Sequence, residues 1–139
     1  MSGQDNRRTI FLVEEDDDTR PILKHNLQTD GYRVLLALDE EDALERVSGN
    51  GAPADLVLVN LVDKSLEEVL AAGRRIRTQA KYAGHTPLVV MADKYGADLE
   101  GTDVNVGSND WITYLEDHEQ LKNLLAKLLK NSPKKKNTT

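Results

Sequence analysis

The sequence predicts an α/β domain in which helices cover both faces of a doubly wound, five-stranded parallel sheet. Short runs rich in Val, Ile and Leu recur along the chain, and their continuous hydrophobicity is typical of strands that are buried on both faces. Segments with helical spacing of apolar residues lie between these runs, and strands alternating with helices give right-handed crossovers. A length of 139 residues, with 39% hydrophobic and 30% charged residues, describes one globular domain.

The five predicted strands are the apolar runs themselves. They cover residues 10–13, 34–38, 56–59 and 88–91, with a fifth at about 111–113. In open parallel sheets the ligand crevice lies at the carboxyl ends of the strands. We therefore expect the functional residues to follow these five segments.

The predicted helices occupy the intervals between the strands. The first begins in the acidic run 16–18 and ends at Gly31, and the second is capped by Asp39. The third has an apolar stripe from Leu66 to Ile76, and the last begins at about Glu116. Residues 94–107 contain several poor helix formers, so the pattern predicts only a short or frayed helix there.

Composition and charge exclude several classes of function. The chain has no cysteine, which excludes disulfides and thiolate metal sites. A net charge of −6 argues against nucleic acid as a partner, and no apolar stretch is long enough to span a membrane. We expect a cytoplasmic protein with a disordered segment at residues 1–8, a domain at 9–131 and a basic, flexible tail at 132–139.

Five consecutive carboxylates follow the first predicted strand, at residues 14–18. Proteins that bind phosphate at this turn use glycines and backbone N–H groups, whereas carboxylates repel a phosphate unless a cation lies between them. The run therefore argues against a nucleotide or flavin and is compatible with Mg²⁺, which prefers hard oxygen ligands. Asp16, Asp17 and Asp18 are also explained as residues that cap the first helix.

Several sequence motifs occur in register along the chain. They are Ile10-Phe11-Leu12-Val13-Glu14-Glu15-Asp16, Arg20, Gly31-Tyr32-Arg33-Val34, Ala43-Leu44, Asp55-Leu56-Val57-Leu58-Val59-Asn60-Leu61, Pro87-Leu88-Val89-Val90-Met91 and Gly107-Ser108-Asn109-Asp110-Trp111. Over about residues 9–129 this set resembles the receiver domain of bacterial two-component response regulators. The resemblance implies a flavodoxin-like fold with strand order 2-1-3-4-5.

In that family a histidine kinase donates a phosphoryl group to an Asp at the end of strand three. The matching residue here is Asn60, whose amide cannot form an acyl phosphate. The family's hydroxyl residue after strand four corresponds to Ala92, and its Lys after strand five corresponds to Tyr114. Trp111 matches an aromatic position that turns inward on activation, and we expect it to be fixed inward in this chain.

The resemblance also implies a magnesium site. Glu15 would bind Mg²⁺ directly and Glu14 through water, with Asn60 and the Val62 carbonyl completing the ligands that the protein supplies. Because Asn60 lacks a negative charge, we expect this site to be weak.

These observations favour a receiver-like signalling module, not an enzyme, that acts through protein contacts. The resemblance places the partner surface at about residues 94–130, for a histidine kinase or a downstream effector, and a homodimer is possible. Two alternatives remain open. One is a phosphorylated receiver that uses Asp63 or Glu15 as acceptor, and the other is a flavodoxin-like protein that binds a small molecule.

Overall fold

The computed structural model describes residues 7–49 and 52–130, which form one six-stranded sheet with helices on both faces. The strands are β1 (Thr9–Glu14), β2 (Arg33–Ala37), β3 (Leu56–Asn60), β4 (Leu88–Met91), β5 (Asp103–Asn105) and β6 (Asp110–Thr113). The helices are α1 (Thr19–Thr29), α2 (Glu40–Val47), α3 (Leu66–Gln79) and α4 (His118–Lys130). The sheet order is β2-β1-β3-β4-β6-β5.

Five of the six strands are parallel and follow the predicted order. β1 pairs with both β2 and β3, β3 pairs with β4, and β4 pairs with β6. The register between β1 and β3 places Glu14 beside Asn60. The doubly wound α/β architecture and all five predicted strands are therefore confirmed, and the carboxyl ends of β1 and β3 lie at the same edge.

Alternate residues of the parallel strands build two cores. Phe11, Val57 and Leu88 belong to the core under α2 and α3, whereas Leu12, Leu58 and Val89 belong to the core under α1 and α4. All six of these side chains are fully buried. At roughly 1.5–3 kcal/mol for each large apolar side chain, this burial is the main force that orders the helices on the sheet.

Residues 94–107 form neither a short nor a frayed helix, and the prediction of five strands is wrong. A turn at 97–101 leads into β5, which pairs antiparallel with β6 at the edge of the sheet. The pairing aligns Val104 with Ile112. The same residue types that disfavour a helix, such as Thr102 and Val104, are compatible with an extended strand once β6 offers hydrogen-bonding groups.

The helix starts have local causes in the sequence. At α3, the Ser65 hydroxyl accepts a hydrogen bond from the Glu68 N–H, and the Glu68 carboxylate accepts one from the Ser65 N–H. Asp39 caps α2 through the Asp42 N–H. The α1 helix begins at Thr19, slightly later than predicted, and the Asp16 carboxylate accepts from the Thr19 N–H at 2.8 Å.

The predicted terminal segments fall mostly outside the described residues, since only residues 7 and 8 of the N-terminal one are included. In these two residues the chain leads into β1, and the Arg8 carbonyl accepts from the Arg33 N–H at 2.9 Å. Among the helices of the described ranges, none is long and apolar enough to cross a membrane.

Candidate functional site

Glu14 lies at the end of β1 and is the most deeply buried carboxylate of the described residues. The amide nitrogen Nδ2 of Asn60 donates to both carboxylate oxygens of Glu14, at 3.0 and 2.8 Å. The Asp16 N–H also donates to Glu14 Oε2 at 3.0 Å. Burial raises the pKa of Glu14, although the hydrogen bonds from Asn60 and Asp16 oppose the shift.

Glu15, the next residue, is held by a separate set of donors. Its Oε1 atom accepts a hydrogen bond from the Val62 N–H at 2.8 Å, and its Oε2 atom lies 3.7 Å from the Lys64 ammonium. The Glu15 N–H in turn donates to the Asn60 carbonyl at 3.0 Å. The loop after β3 is thereby tied to the end of β1.

Arg20 of α1 holds the backbone of the acidic turn from the other side. Its Nε atom donates to the Glu14 carbonyl at 2.8 Å and its Nη2 atom to the Glu15 carbonyl at 3.2 Å. Its Nη1 atom forms an ion pair with the exposed Asp17 at 2.8 Å. The turn therefore carries a positive charge next to its carboxylates.

Hydrogen-bond donors thus reach both carboxylate oxygens of Glu14 and the Oε1 atom of Glu15, whereas Glu15 Oε2 has only the Lys64 ammonium at 3.7 Å. The Asn60 group that faces the Glu14 carboxylate is NH₂, which donates hydrogen bonds and is not a metal ligand. No group of three or more His, Cys, Asp or Glu side chains in residues 7–49 and 52–130 is placed to hold a metal ion. The residues predicted as metal ligands are close together, but they already bind one another.

At the ends of β4 and β6, the two positions singled out by the sequence motifs, Ala92 and Tyr114, carry neither an aliphatic hydroxyl nor a positive charge. Ala92 donates its backbone N–H to the Thr113 carbonyl at 3.0 Å, and its side chain is a methyl group. The ring of Tyr114 packs edge to face on Tyr95, with ring centroids 5.4 Å apart at an interplanar angle of 81°. The Tyr95 hydroxyl donates to the Leu115 carbonyl. At Tyr114, an aromatic pair therefore replaces the expected ammonium group.

A cleft of about 450 Å³ opens beside these residues, between the start of α3 and the end of β4. Asp63, one of the two alternative acceptors, is exposed and lines this cleft together with Lys64 and Lys94. Its backbone is in the left-handed region, with φ of 59°. Asp63 is thus accessible to solvent, whereas Glu15 is held by Val62 and Lys64.

Trp111 lies on the α4 face of β6, beside β4 and β5. Its half-buried ring packs against the core under α1 and α4, and the Lys127 ammonium lies 4.8 Å from the ring centroid. Contacts of this type contribute about 0.5–1 kcal/mol when they are exposed. That the ring is fixed inward stays a prediction.

Sequence reasoning brought together Glu14, Glu15, Asn60 and Val62, but it assigned no role to Lys64 or Tyr95. Lys64 lies only four residues after Asn60, at the strand end predicted to lie beside the acidic pair. A positive charge at that point was the sequence signal that could have indicated an ion pair with Glu15. Tyr95 could not be placed, because its contact with Tyr114 depends on the path of residues 94–107.

Comparisons with known proteins place this arrangement in context. No family model matches the chain. The chain is 28% identical over 126 residues to the uncharacterized transcriptional regulatory protein YkoG of Bacillus subtilis (strain 168), a match that covers 90% of the chain. It spans about half, 53%, of the length of that relative.

Solved structures with a similar fold are receiver domains and response regulators. The receiver domain of a signal transduction histidine kinase from Syntrophus aciditrophicus has a TM-score of 0.67 at 18% identity, covering 95% of this chain and 97% of that one. A response regulator from Thermotoga maritima has a TM-score of 0.64 at 24% identity, covering 90% and 99%. The receiver domain of the histidine kinase PA1611 from Pseudomonas aeruginosa PAO1, with magnesium in its active-site cleft, has a TM-score of 0.63 at 20% identity, covering 90% and 99%.

Without the edge strand β5, the parallel strands of this chain follow the order 2-1-3-4-5 predicted from the sequence motifs, and Glu14 and Asn60 end β1 and β3 side by side. The chain therefore has the fold of the receiver domains of response regulators and histidine kinases.

Proposed function

We propose that the chain is a receiver-like module of two-component signalling that is not phosphorylated at the usual position and acts through protein contacts. The observation that carries this proposal is the pair of hydrogen bonds from the Asn60 amide to Glu14. At the position where the family has its phosphate-accepting Asp, this chain has an amide that donates hydrogen bonds. It satisfies the buried carboxylate that would otherwise need a cation.

Three groups that phosphoryl transfer uses in the family, the acceptor, the hydroxyl and the ammonium, are absent from the matching positions of this edge, although the acidic pair is present. The nitrogen lone pair of an amide is delocalised, so Asn60 is a poor nucleophile and cannot form an acyl phosphate. Ala92 offers no hydroxyl, and Tyr114 carries no positive charge at neutral pH. Without these groups the charge that develops on a transferred phosphoryl group has no electrostatic stabilisation at these positions.

We also propose that Mg²⁺ binding is weakened. The magnesium ion held by the receiver domain of PA1611 belongs to that protein. In this chain the neutral Asn60 amide donates hydrogen bonds to Glu14, and the Lys64 ammonium lies 3.7 Å from Glu15. A cation would have to compete with groups that are covalently attached to the protein and therefore present at high effective concentration.

The partner surface in this proposal lies within residues 94–130, and the partner is a protein such as a histidine kinase or a downstream effector. In that region β5 replaces the expected helix, which supports a surface of unusual shape. We propose a cytoplasmic, non-enzymatic role with neither nucleic acid nor membrane as partner, consistent with the net charge of −6.

A second candidate function is a receiver that is phosphorylated at Asp63. The observation in its favour is the exposed position of Asp63 in the cleft beside Lys64 and Lys94. We disfavour it because Ala92 and Tyr114 contribute neither a hydroxyl nor a positive charge at the neighbouring strand ends. The alternative of a flavodoxin-like binder is disfavoured by the carboxylates at residues 14–18.

Intact-mass measurement after incubation with Mg²⁺ and acetyl phosphate tests the proposal. The natural chain and the variants Asn60→Asp and Asn60→Asp/Ala92→Thr/Tyr114→Lys are treated side by side. We expect no phosphoryl adduct on the natural chain and the most adduct on the triple variant. An adduct on Asn60→Asp would show that the missing acceptor alone prevents phosphorylation. An adduct on the triple variant only would show that Ala92 and Tyr114 also prevent it.

An adduct on the natural chain would contradict the proposal, and peptide mapping would then identify the acceptor. Loss of that adduct in Asp63→Asn would establish the second candidate. Asp93→Asn is the matched control, because Asp93 is also exposed and lines the same cleft but follows a different strand.

A further inference from the structure

The strand β5 ends the sheet, and its outer edge has no neighbour among the described residues. On its inner side, the Tyr114 N–H donates to the Thr102 carbonyl at 2.9 Å. The Val106 N–H donates to the Asp110 carbonyl at 2.8 Å. Residues 102 and 106 therefore direct their backbone groups toward β6.

Hydrogen-bonded residues alternate along an antiparallel strand, so Val104 also faces β6. It follows that Asp103 and Asn105 direct both their N–H and their C=O groups away from the sheet. Such an edge is a template for another strand. Natural edges are often protected by Lys or Pro, and residues 102–107 contain neither.

We propose that β5 pairs with β5 of a second copy of this chain, antiparallel and around a twofold axis at Val104. In this register Asp103 lies opposite Asn105 of the second copy, and the reverse pair repeats the contact. Each of these pairs exchanges two backbone hydrogen bonds, which gives four in total. The two copies of Val104, each 38% exposed, face each other across the axis.

Charge and strand length together favour this register over its neighbours. A twofold axis at residue 103 would place two carboxylates opposite each other, and it would leave only two hydrogen bonds between copies of residue 103. An axis at residue 105 would pair Asp103 with Gly107, which lies beyond the end of β5. The axis at Val104 places each carboxylate opposite an amide, and like charges directly opposite in a sheet are destabilising.

The pairing leaves the internal contacts of β5 intact. The Asp103 carboxylate accepts hydrogen bonds from the Thr113 hydroxyl at 2.7 Å and from Gln120 at 2.8 Å. These bonds hold β5 against β6 and α4, so the strand is already ordered before a second copy binds. Preorganisation reduces the entropic cost of association. The contact involves only the three residues of β5 in each copy, so we expect a weak dimer.

This inference rests on the proposed function only in that it specifies one partner for the surface at residues 94–130.

Association is measured on the full chain by analytical ultracentrifugation, at concentrations from roughly 10 µM to 1 mM, the range suited to a weak complex. We expect the mass to rise from 15.5 kDa toward twice that value. A monomer at every concentration overturns the inference but leaves the phosphorylation result untouched.

Two variants test the register itself. Asn105→Asp places a carboxylate opposite Asp103 in both pairs, and we expect it to weaken dimerisation by roughly tenfold. Adding Asp103→Asn restores a carboxylate opposite an amide, and we expect association to recover. Failure of the double variant to recover overturns the Val104 axis, provided that circular dichroism finds both variants folded.

A crosslink reports which residues lie next to each other in the dimer, and it traps a weak complex covalently. Because the chain has no cysteine, Val104→Cys introduces a single thiol that lies opposite its own copy, within disulfide reach in a close antiparallel pair. Val106→Cys is the matched control, because residue 106 is equally exposed but is displaced from its own copy by four residues along the strands. We expect disulfide dimers from Val104→Cys only. Equal crosslinking of the two variants overturns the proposed register.

Discussion

At the scale of single residues, the difference between a carboxylate and an amide decides the electrostatics of the acidic edge. Asn60 has nearly the size and shape of Asp, yet it donates where Asp would accept. Its NH₂ group lies 2.8 Å from a Glu14 oxygen in a buried setting. With Asp at this position, two carboxylates would lie side by side, and a cation or a proton would be needed between them.

We therefore expect Asn60→Asp to make the stability of the chain dependent on Mg²⁺. Without the metal, two adjacent carboxylates should lower the free energy of unfolding by about 2 kcal/mol. Mg²⁺ should restore part of this loss in the variant and have little effect on the natural chain. Urea unfolding with and without MgCl₂ measures both effects.

Asn123→Asp is the matched control, because Asn123 is exposed on α4 and the substitution adds the same charge. Its stability should not respond to Mg²⁺. Stabilisation of the natural chain by Mg²⁺ to the same extent as Asn60→Asp would contradict the role that we assign to the Asn60 amide.

At the scale of elements, Asp110 connects α3 to β6 near the edge of the sheet. Its carboxylate is only 7% exposed and forms ion pairs with Arg74 and Arg77, each at 2.8 Å. Burial alone would raise the pKa of Asp110, but the hydrogen bonds and charges of Arg77 and Arg74 lower it overall. The two arginines belong to α3, so these ion pairs fix the helix relative to the strand.

Asp110→Asn should lower the stability by about 2 kcal/mol at pH 7, because it leaves two arginines without their carboxylate. The folded-state pKa of Asp110 lies below the unfolded value near 3.8. The ion pairs therefore stabilise the protein fully above that value, and the contribution is lost as the pH falls through the folded-state pKa. The stability difference between the two proteins should shrink below about pH 4, which urea unfolding across a pH series measures. A difference that is constant with pH would contradict the assignment.

The close approach of α3 to β4 depends on Gly73. A Cβ atom at this position would lie 2.6 Å from Leu88 Cδ1 and 2.9 Å from Leu88 Cδ2, and Leu88 is fully buried. The Leu88 side chain thus occupies the space that a side chain at position 73 would need.

Gly73→Ala should consequently lower the stability by about 1 kcal/mol, because overpacking outweighs the gain in helix propensity. A double-mutant cycle with Leu88→Val, which shortens the opposing side chain, should give a favourable coupling energy, measured by urea unfolding. Additive effects of the two substitutions would indicate that Leu88 yields to the new methyl group without cost.

At the scale of the whole molecule, the question is whether the acidic edge communicates with the surface around Trp111. Trp111 is the only tryptophan of the chain, and its ring lies between the core under α4 and the Lys127 ammonium. Coupling requires two conformations that a ligand binds with different affinity. Our proposal that the chain is not phosphorylated at the acidic edge implies that acetyl phosphate binds no conformation of this chain in preference to another.

The tryptophan emission of the natural chain should therefore stay unchanged when Mg²⁺ and acetyl phosphate are added. Lys127→Met, which removes the charge above the ring but keeps an unbranched side chain, should shift the emission and serves as proof that the signal responds to its surroundings. A change of emission in the natural chain on adding the phosphodonor would contradict the absence of coupling.

The sequence by itself determined the strand and helix alternation, the two buried faces of β1, β3 and β4, and the approach of Glu14 to Asn60. These features depend on local patterns and on one general property of parallel sheets, namely that their carboxyl ends share an edge. The assignment of Asn60, Ala92 and Tyr114 to the acceptor, hydroxyl and cation positions rests on motif register and stays a prediction.

Only the tertiary structure decided the path of residues 94–107 and the partners of the acidic pair. Residues 103–105 have no strong preference of their own, and β5 forms because β6 presents a free edge and Gln120 and Thr113 hold Asp103. Lys64 reaches Glu15 because the loop after β3 returns toward β1. Contacts between segments distant in sequence select among conformations that local propensity leaves nearly equal in free energy.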